Sequence, residues 1–454
     1  MQTWAQAEDT ELHLYPDQVI GHIPEDFLGF GYETSAVARP GYFSPKDEVL
    51  VRLYRNLGTH GLVRIGGNIS DYTRYDPSGS SVANPEPQET RINRSELQEL
   101  GAFLRATGWQ AMWGLNVGSG SAEEASVEAA AVDAELRGNL QSFEIGNEVD
   151  LQRRFAGDFE RYYAIYRPFK QSIRAAVPQA HFSGPDSARD VEWCGRFAQR
   201  EWRDAALLTL HYYRARASSA AATMENLLGP DAEWEAKLNR LAAICQPHHL
   251  SFRINEVNSF SGGGKAGVSD VFGSALWCLD YLFGVARAGG EGVNLQTDIN
   301  QHGWVSHYSP IYRDAAGHLS ARPEYYSMLA FALAGHGALI RTDLPQGGDQ
   351  ALHAYGVNSG PGSIWVVLIE RSLVHGARVN VTLPSGYSAA RIFWLRAPSP
   401  EARDHITFGG HGVSSDGTWA WPTGENGLIM DGKMELAMSA ASAAVIGLTR
   451  SGKP

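Results

Sequence analysis

Short apolar runs of strand length alternate with amphipathic stretches over most of this chain. The apolar runs lie at 27–33, 62–68, 110–117, 140–148, 181–186, 207–213, 250–258 and 292–298. Stretches of helical period fall between them near 46–58, 94–107, 122–136, 157–177, 188–201, 231–246 and 269–288, with one more at 323–335. After Asp231, the residues Trp234, Leu238, Leu241 and Cys245 recur at intervals of 4, 3 and 4, and Pro247 stops the pattern. Strands buried on both faces and separated by helices form parallel sheets, and eight such pairs predict a (β/α)8 barrel.

From about His336 the period changes. SIWVVLIERS, ARVNVTLPS, AARIFWLRA and AAVIGLTR are short β-type runs, separated by turn pieces such as Asn358-Ser359-Gly360-Pro361-Gly362, Pro384-Ser385-Gly386 and Asp416-Gly417. No helical stretch intervenes, which predicts an accessory antiparallel β-sandwich. Leu12, Leu14 and Tyr15 alternate ahead of the first barrel strand and are expected to add a strand to that sandwich. The expected division is therefore a catalytic barrel over 21–335 and a sandwich built from 1–20 plus 336–454. Trp365, Trp394, Trp419 and Trp421 read as sandwich core and edge, with a sugar-stacking platform as the alternative.

Composition narrows the function classes. With 454 residues, 43% hydrophobic and 19% charged, the chain can bury a large core. Its net charge of −12 argues against nucleic acid or any extended polyanion as partner, though a local pocket can still take a small anion. Cys194, Cys245 and Cys278 lack metal-type spacing and read as buried free thiols. No run approaches the length of a membrane span. Ala5-Gln6-Ala7 has the small-x-small form of a signal-peptidase site without the preceding apolar stretch. The expectation is a secreted or periplasmic protein whose leader is absent, with the cytoplasm as the alternative.

The candidate chemistry lies at two strand ends. FEIGNEVD delivers Glu148 and FRINEVNSF delivers Glu256, by strand order the fourth and seventh of the barrel. Acids at the C-terminal ends of barrel strands form active sites, and two of them suggest glycoside hydrolysis. A separation of roughly 5–5.5 Å makes the second acid a nucleophile, whereas roughly 6.5–9.5 Å admits a water. Arg64, in LVRIGGN on strand two, is expected to keep Glu256 ionised while Glu148 holds its proton until it is needed. His248-His249, His211, His302 and His307 complete no metal pattern, so neither metal nor cofactor is expected.

These motifs resemble glycoside hydrolase family 79, the β-glucuronidases and heparanases, which carry a clan A barrel and a β-sandwich. The similarity rests on RIGGNISD (64–71), FEIGNE (143–148), LTLHYY (208–213) and NEVNSFSGGGKAGVSDVFGSALWCLDYL (255–282). The resemblance implies Glu148 as acid/base and Glu256 as nucleophile of a retaining reaction. It also implies Asn147 on the sugar 2-hydroxyl and Tyr212 steadying the nucleophile. Gly262, Gly263 and Tyr308 would hold a sugar carboxylate, since successive glycines can turn their N–H groups into an anion nest. Asp71, Glu33 and His302 would contact hydroxyls. Ser261 departs from the tyrosine common at its position, which leaves the sugar selectivity open.

The expected activity is that of a retaining exo-β-glucuronidase acting on glycans or glucuronide conjugates. An endo-acting, heparanase-like enzyme is the alternative, and the acidic charge fits it less well. A binding protein without turnover would have no need of a proton donor opposite a nucleophile. A related enzyme for neutral sugars, such as a β-xylosidase, would be revealed by preference for xylosides.

Overall fold

The computed structural model describes residues 9–79, 90–297, 306–344 and 351–450. Eight parallel strands close into a barrel in chain order: Leu28–Glu33, Leu62–Gly66, Gln110–Leu115, Leu140–Ile145, Phe182–Ser187, Ala205–Arg216, Phe252–Ser261 and Val293–Gln296. Below they are barrel strands one to eight. Helices Glu48–Asn56, Arg94–Thr107, Ala122–Leu136, Phe159–Ala176, Val191–Glu201, Ala232–Cys245, Phe272–Arg287 and Pro323–Ala334 follow them. Each overlaps its expected stretch.

Local chemistry sets several of these boundaries. Asn93 and Ser121 each begin a helix with a capping box, closed by Glu96 and Glu124 respectively. Asp231 accepts from the Trp234 amide at 3.0 Å and starts the helix that Pro247 ends. Strand four stops at Ile145, short of the expected end, because Gly146 takes a left-handed turn with φ 96°.

The barrel interior changes character along its axis. Leu62, Met112 and Leu207 form a small apolar cluster in the lumen. Two residues further along strand two comes Arg64, and four further along strand six comes His211, both buried. Side chains two apart on a strand share a face, so the polar layer lies toward the C-terminal ends, where barrel enzymes place their chemistry.

Among the described residues, the C-terminal strands together with Asp9–Ile23 form one continuous sheet of eleven strands, curled around a second core that includes Leu12, Val366, Val379, Met434 and Ile446. It is the expected accessory antiparallel β domain, and the strand Asp9–Ile23 belongs to it. It pairs in parallel with Ala377–Thr382 through Asp9 to His13, and antiparallel with Gly337–Asp343 through His13 to Ile23. Register shifts between Tyr15 and Gly21 bend it, so one strand joins both halves.

Trp394 belongs to the sheet core, and Trp365 and Trp419 pack partly buried against the main core. Trp421 does not fit the core-and-edge reading: it is 75% exposed. The barrel and sheet share one core, in which Phe283 stacks on Tyr355 at 5.0 Å. At this seam Asp280 accepts from His353 Nδ1 at 2.6 Å, Tyr355 Oη at 2.7 Å and Arg371 Nη1 at 3.0 Å. All three cysteines are free and buried. Among the described residues no helix is long and apolar enough to cross a membrane.

Candidate active site

Glu148 stands three residues beyond strand four, on the turn that Gly146 opens. Its own backbone is left-handed, φ 46°, a conformation that residues with a β-carbon avoid and that recurs at functional sites. Glu256 lies within strand seven, in register with His211 of strand six. The Glu148 side chain is 24% exposed and that of Glu256 11%, so the first faces the cleft and the second sits deeper. An oxygen of one lies within 4.8 Å of an oxygen of the other.

Arg64 ties the site together. Its guanidinium donates to Glu256 Oε2 at 2.7 Å, Asn147 Oδ1 at 2.7 Å, Asp186 Oδ2 at 2.6 Å and Glu144 Oε2 at 3.0 Å. The planar fork of arginine serves several acceptors at once, which a lysine would not. Gly66 makes room for it: a β-carbon there would lie 2.5 Å from Arg64 Nε. Asn147, held through its oxygen, donates to Asn68 Oδ1 at 3.0 Å and retains a second amide hydrogen for a ligand.

Three buried groups in this network have no role in the sequence reading. Glu144, four residues before Glu148, accepts from Asn255 Nδ2 at 2.6 Å as well as from Arg64. Asp186 accepts from His211 Nε2 at 2.9 Å, and His211 Nδ1 lies 3.4 Å from Glu148 Oε1. Burial and the neighbouring Asp186 charge push Glu144 up. Burial also acts to raise Asp186, but Arg64 and His211 outweigh it and hold that carboxyl below the usual range. Asp186 ends a strand in the same way as the two acids did, so the signal was present.

The tyrosine assignment is corrected by one position. Tyr213, not Tyr212, donates to Glu256, with Oη 2.8 Å from Oε1. Tyr212 points to the other face of strand six, donates to Asp231 Oδ2 at 2.6 Å and packs on Trp234 and Tyr281. Successive strand residues face opposite sides, so neighbours cannot share the cleft.

Tyr308 is buried and stacks on Tyr213, with centroids 6.2 Å apart. Gly262, Gly263 and Gly264 all have positive φ, 83°, 88° and 82°. His307 N donates to Gly263 O at 2.6 Å, which fastens the glycine loop to the segment bearing Tyr308. The Gly262 and Gly263 amides meet no acceptor among the described residues. Asp71 is buried, accepts from Gln152 Nε2 at 2.6 Å and leaves Oδ1 unpartnered; Gln152 also reaches Asn147 O at 2.7 Å. Glu33 accepts from Ile69 N at 2.9 Å. Burial and then the Glu256 charge push Glu33 up to about 8. Burial and then Asp186 push Asp71 to about 8 as well, so both carboxyls carry a proton at neutral pH. His302 lies outside the described residues.

Glu148, His211 and Glu256 present three donor atoms within 4.8 Å of one another, a spacing a metal ion would accept. The chemistry of the set suits protons better. Burial acts to lower His211, but the charges of Asp186 and Glu256 outweigh it and push the imidazole well above its ordinary value. Arg64 already supplies Glu256 with a cation at 2.7 Å.

No family model matches the chain. A β-glucuronidase of Aspergillus niger is 23% identical over 317 residues, 59% of this chain and 57% of that protein, so the match spans little more than half of the relative. Among solved structures, a 4-O-α-L-rhamnosyl-β-D-glucuronidase from Fusarium oxysporum, in a Rha-GlcA complex, has a TM-score of 0.78 at 17% identity, over 97% of this chain and 100% of that one. A family 51 α-L-arabinofuranosidase from Bifidobacterium longum has a TM-score of 0.72 at 13% identity, with coverage of 97% and 100%. A β-xylosidase from Caulobacter crescentus has a TM-score of 0.60 at 13% identity, again covering 97% and 100%. The chain thus has the fold of these glycosidases, a closed parallel barrel joined to an accessory β-sheet.

Proposed function

We propose that this chain is a retaining exo-β-glucuronidase, with Glu148 as acid/base and Glu256 as nucleophile. One observation carries the retaining assignment: the two carboxylates approach within 4.8 Å. That spacing suits direct attack and is too short for the intervening water of an inverting enzyme. Glu256 is oriented for attack, with Tyr213 on one oxygen and Arg64 on the other.

In the first step a Glu256 oxygen forms a bond to the anomeric carbon as the glycosidic C–O bond breaks. Glu148 gives its proton to the departing oxygen and becomes a carboxylate. In the second step Glu148 takes a proton from water, whose oxygen bonds to the anomeric carbon and releases Glu256. The Asn147 amide is positioned for the 2-hydroxyl, where a hydrogen bond strengthens in the transition state.

The glucuronate preference is supported by the Aspergillus niger relative and by the glycine loop beside Tyr308. Glu33 and Asp71, protonated at neutral pH, do not repel an anionic sugar and can donate to it. An aryl-glycoside panel tests the sugar, and proton NMR of the first-formed product tests the stereochemistry. The expected results are preference for β-glucuronide and release of the β anomer. Release of the α anomer would refute retention, and cleavage only of internal bonds in heparan-type chains would favour the endo-acting alternative.

A further inference from the structure

Asp186 hydrogen-bonds both cations of the site. Its Oδ2 accepts from Arg64 Nη2 at 2.6 Å and its Oδ1 from His211 Nε2 at 2.9 Å, with Asn255 Nδ2 also on Oδ1. It is 1% exposed, and its amide is fixed by donation to Thr209 Oγ1 at 2.9 Å. The far nitrogen of His211 faces the reacting groups: Nδ1 is 3.4 Å from Glu148 Oε1 and 3.8 Å from Glu256 Oε2. A carboxylate on Nε2 fixes a proton there, which leaves Nδ1 to serve the two acids.

We propose that Asp186 is a positioning residue for the reaction, holding His211 with an N–H aimed at Glu148 and Arg64 with an N–H aimed at Glu256. The inference rests on the retaining reading. Forming the ester removes the negative charge from Glu256 while Glu148 acquires one by losing its proton, and the second step reverses both changes. A cation within reach of both carboxyls meets the charge in either place, and preorganised charge of this kind lowers barriers without reorganisation.

The groups that face His211 and Asp186 come from several elements. They are Arg64 on strand two, Glu144 on strand four, Glu148 on the loop after it, and Asn255 and Glu256 on strand seven. Asp71, Tyr162 and Cys194 also feel the Asp186 charge. Arg64 is the one other cation in this set, and Asp186 hydrogen-bonds both, whereas Glu256 bonds Arg64 and reaches His211 only at 3.8 Å.

The test is Asp186→Asn, because an amide presents a donor to at least one of the two cations. kcat should fall about tenfold or more with KM nearly unchanged, since one charged hydrogen bond is lost. The alkaline limb of the pH–rate profile should move to lower pH as His211 deprotonates more readily. Nitrogen NMR of the His211 ring reads the same coupling without turnover. The parent ring should keep both protons well above the ordinary histidine value of about 6.5, and the variant ring should titrate near it. A parent ring that is neutral at pH 7, or a variant whose profile and ring titration do not move, overturns the proposal. If the parent cleaves no glycoside, the retaining reading fails while the ring titration still decides the Asp186–His211 coupling. Should Asp186→Asn not fold, the parent titration together with Asp186→Glu, which restores the charge and should restore the profile, carries the test.

Discussion

Removing the phenol oxygen of Tyr213 tests the nucleophile's environment without dismantling it. In Tyr213→Phe the ring still stacks on Tyr308 and Arg64 still holds Glu256 Oε2, while the 2.8 Å bond to Oε1 is lost together with the phenol's contact to the Tyr308 hydroxyl. A hydrogen bond to a charged acceptor contributes about 1.5–3 kcal/mol. If the oriented carboxylate is what the transition state requires, kcat falls about 12- to 160-fold. Tyr212→Phe is the control. It removes the bond to Asp231, whose Oδ2 keeps Arg214 at 2.8 Å, so it should cost about 1 kcal/mol of stability and leave kcat within about twofold. Steady-state kinetics on an aryl β-glucuronide, with thermal melts of both variants, make the comparison. Equal losses of kcat in the two variants, or an unimpaired Tyr213→Phe, would show that the phenol does not steady the nucleophile.

Asp71→Asn should change the pH dependence of stability. The folded carboxyl, at about 8, keeps its proton through a window in which the unfolded chain, near the ordinary value of about 3.9, has lost it. Parent stability therefore falls as pH rises across that window, and the melting difference should shift in the variant's favour; a constant difference would refute this. The same two protonated acids predict that kcat/KM for a glucuronide drops above pH 8 more steeply than for a neutral analogue, as Glu33 and Asp71 ionise. Parallel profiles would remove both from the anion's surroundings. Asp280→Asn breaks the seam between barrel and sheet. Burial acts to raise Asp280, but His353, Arg371 and Tyr355 hold it down to about 2, so its contribution is present above about pH 4 and lost as pH falls toward 2. Chemical denaturation should show a loss of about 2–3 kcal/mol at pH 7 that shrinks near pH 3. Gly67→Ala places a β-carbon against the Glu33 carboxylate at a position with φ 74°, so KM should rise and the melting temperature should fall; an unchanged KM would separate Glu33 from the sugar.

The eight strands were legible because their apolar runs are buried on both faces and their helices carry plain period and caps. Glu148, Glu256 and Arg64 were legible for the same reason, as charges at the ends of runs that otherwise exclude them. The error at Tyr212 came from the two-residue alternation of strand six: LTLHYY offers adjacent tyrosines, and only the pleat decides which one faces the cleft. His211, two residues nearer the strand start than Tyr213, shares its face and follows from the same parity. Glu144 was hidden because a single acid within an apolar strand shows its partners only once Arg64 and Asn255 arrive from strands two and seven. The accessory β domain was legible in its short β-type runs and turns, while nothing local in Asp9–Ile23 states that it pairs with both halves.

That same strand sets a schedule for synthesis. Asp9–Ile23 leaves the ribosome more than 300 residues ahead of Gly337–Asp343 and Ala377–Thr382, which complete its hydrogen bonds. At about 5–20 residues per second the wait is roughly 15–60 s, long enough for a nascent ribbon to find a foreign edge. Its exposed stretch at Val19 and Ile20 then needs cover from a chaperone or from the growing barrel, and expression yield should respond to translation speed more than the finished protein's stability would suggest.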